Sequence, residues 1–229
     1  MPSIKVETHC HTAEVSPCGV LPAREMVEAC HRAGYKTLVL TDHLWSDWRS
    51  ELPMPERVQA FLSGYRIARE TGDALNMKVL LGAELRLTPA PEDYLCYGLT
   101  EELLPEVMAF LDTHPSLSAL HEYLNARDML LVQAHPFRDG VQPMALEHLD
   151  GVEVYNANPR ANNRNDQALR YALTRPGIIM TCGSDVHRAE DVGCGGLMAA
   201  EPIENNAQWL AFLRKCPQPQ RIENGKIGE

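Results

Sequence analysis

Histidines and carboxylates in this chain recur just past the ends of short apolar runs. His9 and His11 follow residues 4–6, His43 follows 37–40, Glu84 follows 78–81, His135 follows 129–132, and Asp185 and His187 follow 178–180. In an extended chain residues i and i+2 share a face. His9 and His11 therefore point the same way, as do Asp185 and His187. Imidazoles and carboxylates gathered together form a donor set for zinc, manganese or iron.

The elements that must position these residues follow from the same pattern. Apolar runs of about four residues bounded by turn signals read as strands buried on both faces. Further short strands are expected at 94–97, 152–155 and 197–200, and helices at 22–30, 55–74, 101–112, 116–127, 163–173 and 205–215. Strands alternating with helices indicate βα units and a parallel sheet. The expected fold is α/β and TIM-barrel-like, with the ligand-type residues at one end of the strands, where barrel enzymes keep their chemistry. Residues 1–229 read as a single domain, with 216–229 as a surface tail.

Composition narrows the classes. Hydrophobic residues make up 45% and charged residues 23% of the 229 positions, as in an ordinary soluble protein. No stretch approaches the roughly 20 apolar residues of a membrane span, and the first residues lack a signal-peptide core. Seven cysteines without a C-x-x-C pair fit reduced thiols in a cytoplasm. A net charge of −10 is a poor match to long nucleic acid. Phosphate-loop and nucleophile-elbow motifs are absent, and Gly193-Cys194-Gly195-Gly196 lacks the order of a dinucleotide fingerprint.

Five segments in order resemble the PHP family, the polymerase-and-histidinol-phosphatase metallohydrolases: His9-Cys10-His11-Thr12, Thr41-Asp42-His43, Gly82-Ala83-Glu84, Ala134-His135-Pro136 and Gly183-Ser184-Asp185-Val186-His187. The resemblance implies a distorted seven-stranded (β/α) barrel, two or three divalent ions (Zn, Mn or Fe), and phosphoester hydrolysis by water activated at those ions. It implies that His9, His11, Glu84 and Asp185 hold a first ion, that Glu84 bridges to a second with His135, and that His43 and His187 hold a third. Glu84, Asp185 and His187 become the catalytic candidates. Two positions depart from the family pattern. Asp93 and Glu101 are the available replacements for a histidine at the second ion, and Glu14 and Cys18 are the candidates to complete the third.

The substrate expected is a small phosphate monoester, such as histidinol phosphate or a nucleotide. The alternatives are a phosphodiesterase or 3′-to-5′ exonuclease, and a non-catalytic metal-binding module. Arg138 and Arg160, in loops after strand ends, are candidates to grip phosphate in a bidentate fork, with Arg164 a weaker one. The segment 44–55 carries Trp45 and Trp48 and reads as a substrate-facing flap. His31, His114, His121 and His148 read as structural. The sequence does not specify the oligomeric state.

Overall fold

The computed structural model describes residues 3–228; Met1, Pro2 and Glu229, the ends of the expected domain, lie outside them. In chain order the elements are β1 (Ile4–Glu7), α1 (Ala23–Arg32), β2 (Tyr35–Leu40), β3 (His43–Trp45), α2 (Met54–Ala74), β4 (Lys78–Leu81), β5 (Ala83–Arg86) and β6 (Asp93–Tyr97). They continue as α3 (Leu104–Leu111), α4 (Leu117–Asn125), β7 (Leu130–Gln133), β8 (Gly151–Asn156), α5 (Asn165–Ala172), β9 (Ile179–Gly183), β10 (Gly195–Ala199), α6 (Asn206–Lys215), β11 (Arg221–Glu223) and β12 (Lys226–Ile227). All six expected helices are present. Two of their starts are capped by a side chain: the Ser116 hydroxyl accepts from Ala119 N ahead of α4, and the Asn205 side chain accepts from Gln208 N ahead of α6.

The α/β class holds, and the strand pairing among the described residues does not show the expected seven-stranded barrel as one closed sheet. The strands make two mixed six-stranded sheets, in the orders β12-β11-β10-β1-β2-β4 and β3-β5-β6-β7-β8-β9. The reason lies in two strand bends. After Leu40 the chain turns through Thr41-Asp42 and re-enters extended structure as β3, now in the other sheet. After Leu81 it does the same at Gly82, where a Cβ would meet the carbonyl oxygens of Cys96 at 2.9 Å and Leu40 at 3.2 Å. Antiparallel pairing of β1 with β10, and of β6 with β5 and β7, further departs from an all-parallel barrel. An isolated parallel bridge between Cys10 and Val186 joins the two ligand-bearing segments.

The double burial expected from the apolar runs is observed. One cluster gathers Val6, Val39 and Leu80 from the first sheet with Leu95, Val132 and Ile179 from the second, and includes Trp209 of α6. Trp209 meets Tyr97 edge-on at 5.5 Å. Leu38, Leu40, Val79 and Leu81, on the opposite strand faces, pack with Met26, Phe61 and Leu62 of the helices. The final segment is fastened at the surface: β11 pairs with β10, and Ile222 is buried. No helix among the described residues is long and apolar enough to cross a membrane.

Candidate metal centre

The sheet switches set the site. His43 opens β3 and pairs in register with Glu84 on β5, so both side chains emerge just beyond the bends. His9 and His11 continue from β1, and Asp185 and His187 from β9. At Gly183 the strand passes so near β1 that a Cβ would collide with the His9 side chain.

The four groups expected at the first ion come together, all buried. His9 Nε2 lies 3.1 Å from His11 Nε2, and each sits 3.2–3.4 Å from an oxygen of Glu84 and from Asp185 Oδ1. An ion about 2.0–2.1 Å from four tetrahedral donors sets them roughly 3.3 Å apart. The proton positions agree. His9 Nδ1 must donate to the Glu153 carboxylate at 2.8 Å, which leaves Nε2 as a bare lone pair when the ring is neutral. The Ser16 hydroxyl donates to Asp42 Oδ1 at 2.6 Å, so the contact of 3.3 Å between His11 Nδ1 and Ser16 Oγ uses the ring N–H. Two bare nitrogens facing each other at this distance repel unless a cation or proton lies between them. The donor set therefore fits a divalent ion.

The remaining electrostatics are those of a closely packed charge cluster. Burial opposes ionisation of Glu84, but His9 and His43 outweigh it and hold its carboxyl well below the usual range. Asp185 is likewise held low against burial by His9, His11 and Arg138. Burial pulls His11 down to about 3. On His9 the burial penalty is outweighed by Glu153, Asp185 and Glu84, which raise its pKa well above the ordinary value.

Around this centre the other expected residues divide. His135 Nε2 lies 3.0 Å from Glu84 Oε1 and 3.9 Å from Asp93 Oδ2, so Asp93 joins Glu84 and His135 in a second donor group. Arg86 grips Asp93 through two hydrogen bonds of 2.7 and 2.6 Å. Glu101 is elsewhere, paired with Arg66 and Arg69. His43 Nδ1 is 3.2 Å from Glu84 Oε2, and His187 stands beside His11 with ring centroids 4.6 Å apart. Of the two candidates to complete the third position, Cys18 has its sulfur grouped with His11 and His43. The Glu14 carboxylate instead accepts from Ala23 N at 3.0 Å, at the start of α1.

The arginines also part company. Arg138 reaches the cluster, donating to Asp185 Oδ2 at 2.7 Å, to Asn156 at 3.1 Å and to Asn163 at 2.8 Å. Both Nη atoms of Arg160 bind the buried Asp191, which also accepts from His187 N and Arg188 N. Arg160 thus braces the His187 turn. Arg164 is tied to the Phe137 carbonyl and Asp139.

The flap reading of 44–55 is overturned. His43–Trp45 is strand β3, and Trp48 is only 1% exposed, edge-on to Phe61 at 5.6 Å. Arg57 fixes the following turn by donating to the Trp48 carbonyl and pairing with Asp112. Trp48 is a packing residue.

Several contributors escaped the sequence reading. Glu153 orients His9 with one oxygen, and with the other accepts from His135 N at 3.0 Å and Asn156 Nδ2 at 2.9 Å. Asn156 and Asn158 both donate to Asp185 Oδ2 at 3.2 Å, leaving Oδ1 toward the histidines. Buried Glu7 accepts from Thr8 N, His9 N and Ser184 N, tying together the two ligand-bearing segments. A charged residue inside an apolar strand, as in Val152-Glu153-Val154, was the available signal.

The PHP domain model matches residues 7–192. Among solved structures, a two-domain protein from Bacteroides vulgatus containing a predicted PHP-like metal-dependent phosphoesterase aligns with a TM-score of 0.69 at 15% identity. That alignment covers 99% of this chain and 66% of the other, so this chain spans just under two thirds of its length. PsfC from Pseudomonas syringae aligns with a TM-score of 0.62 at 20% identity, covering 98% and 93%. An amidohydrolase from Chromobacterium violaceum, with sulfate bound and no metal, gives 0.55 at 15%, covering 90% and 95%. No match was found among curated proteins.

Proposed function

We propose that this chain, which belongs to the PHP domain family, is a metal-dependent phosphoesterase acting on a small phosphate monoester. The observation that carries this reading is the buried meeting of His9, His11, Glu84 and Asp185, with both Nε2 atoms turned inward. Zinc, manganese or iron there, when bound, would lower the pKa of water to near 7 and stabilise charge on phosphoryl oxygens.

The chain's own residues do the rest. Glu84, placed between His9, His43 and His135, would serve two neighbouring ion positions, and Asp93 with His135 would help hold the second. Glu153 and Ser16 fix the His9 and His11 tautomers, so neither ring needs to reorganise before it ligates. Arg138, with its Nε and Nη2 anchored on Asn163 and Asp185, offers its remaining donors to an anionic oxygen. His187, partly exposed beside His11, is the group assigned to protonate the leaving oxygen. The Ser16 hydroxyl is held between Asp42 and His43 N, and on this reading hydrolysis proceeds without a phosphorylated side chain.

The test uses protein supplemented with manganese or zinc and offered p-nitrophenyl phosphate, bis-p-nitrophenyl phosphate and a short single strand. Turnover of the monoester alone is expected. Cleavage of the diester or the strand in its place would overturn the monoester reading. Ion binding without turnover of any of the three would point to the non-catalytic module.

A further inference from the structure

The loop between His11 and α1 brings a thiol into the metal centre. Ser16, two residues before Cys18, is clamped: its hydroxyl donates to Asp42 and accepts from His43 N at 3.0 Å. Gly19 N returns to the Ser16 carbonyl at 3.0 Å, closing a turn around Pro17-Cys18. A Cβ at Gly19 would sit 2.7 Å from the Thr12 carbonyl oxygen, so a residue with a side chain would push the turn outward. Beyond it, Val20 N and Leu21 N both bind the His187 carbonyl, at 2.9 and 3.2 Å. The turn is thus fastened at one end to the His43 segment and at the other to His187. Its sulfur and one nitrogen each of His11 and His43 lie within 4.8 Å of one another. The His11 and His43 rings stack at 4.7 Å.

We propose that Cys18 is a thiolate ligand to a divalent ion held with His43, next to the centre formed by His9, His11, Glu84 and Asp185. This rests on the metal-dependent reading above and adds to it a preference among metals. A thiolate beside imidazole favours zinc or ferrous iron over manganese or magnesium, which prefer oxygen donors. On ligation the S–H bond breaks, its proton leaves to solvent, and the sulfur lone pair forms the bond to the ion; no oxidant or reductant takes part. Glu14, the other candidate at this position, is occupied at the start of α1.

Cobalt(II) is the probe, because a bound thiolate gives a sulfur-to-cobalt charge-transfer band in the near ultraviolet, whereas imidazole and carboxylate ligands give only weak visible bands. Wild-type protein titrated with cobalt should develop the charge-transfer band, and Cys18→Ser should lose it together with one equivalent of tightly bound cobalt. Cys194→Ser and Cys216→Ser, at two other thiols that are not fully buried, should keep it. Zinc should protect Cys18, and neither of the other two, from alkylation as read by peptide mass. Cobalt bound with visible bands but no charge-transfer band, or equal stoichiometry in wild type and Cys18→Ser, would overturn the thiolate ligand and leave the metalloenzyme reading intact. Protein that binds no cobalt at all would overturn both.

Discussion

Replacing Glu153 with glutamine tests whether the site is organised by its surroundings or merely assembled from ligands. The carboxylate is fully buried and accepts three hydrogen bonds, from His9 Nδ1, His135 N and Asn156 Nδ2, at 2.8, 3.0 and 2.9 Å. Glutamine has nearly the same shape but one oxygen and one NH2. With its oxygen toward His9, the NH2 faces two donors, and at least one buried N–H is orphaned, at about 1–3 kcal/mol. With its NH2 toward His9, Nδ1 must become the acceptor, and the ring proton moves to Nε2, the ligating atom. Either arrangement weakens the first ion. Loss of such an orienting partner typically costs 10–100-fold in metal affinity, about 1.4–2.7 kcal/mol. Chelator-competition titration of zinc or manganese reads this directly. The stabilisation that saturating metal confers on the variant should shrink in parallel. An affinity within twofold of wild type would refute the orienting role.

The remaining expectations are simpler to read. Trp48→Ala should cost about 3–5 kcal/mol of stability, as large-to-small core changes do, and a thermal melt unchanged from wild type would restore the flap. Arg138→Ala should lower kcat/KM by roughly 10- to 1000-fold, about 1.4–4 kcal/mol, with bound metal retained; native kinetics would remove Arg138 from the substrate site. Burial raises the Glu7 carboxyl from 4.5 to about 7. A raised folded-state value favours the folded protein at low pH, and that contribution is lost as pH climbs through about 7. Chelator-treated wild type should therefore lose stability relative to Glu7→Gln between pH 4.5 and 7, and parallel melting curves would contradict it.

Most of the centre was legible because each ligand follows an apolar strand, where a polar side chain has little packing use. His9, His11, Glu84 and Asp185 meet as their positions imply, and Asp93 stands beside His135. The sheet arrangement was not legible. Thr41-Asp42 and Gly82 look like ordinary strand ends, and only tertiary pairing shows that the chain crosses there into the second sheet. Pairing partners were hidden for the same reason. Arg160 and Glu14 have side-chain types suited to the site, but Asp191 and the first amide of α1 claim them. Asp191 lies 31 residues from Arg160, a separation that no local pattern encodes. Trp48 misled because a tryptophan in a loop reads alike whether it covers a pocket or, as here, packs against Phe61.

The central claim is that this cluster holds metal, and elemental analysis of protein purified without chelator, after manganese or zinc supplementation, tests it most directly. The account predicts two or three divalent ions per chain, with most of that metal lost from the His9→Ala, His11→Ala double variant. Less than one ion per chain in the wild type, or a double variant with undiminished metal, would contradict it.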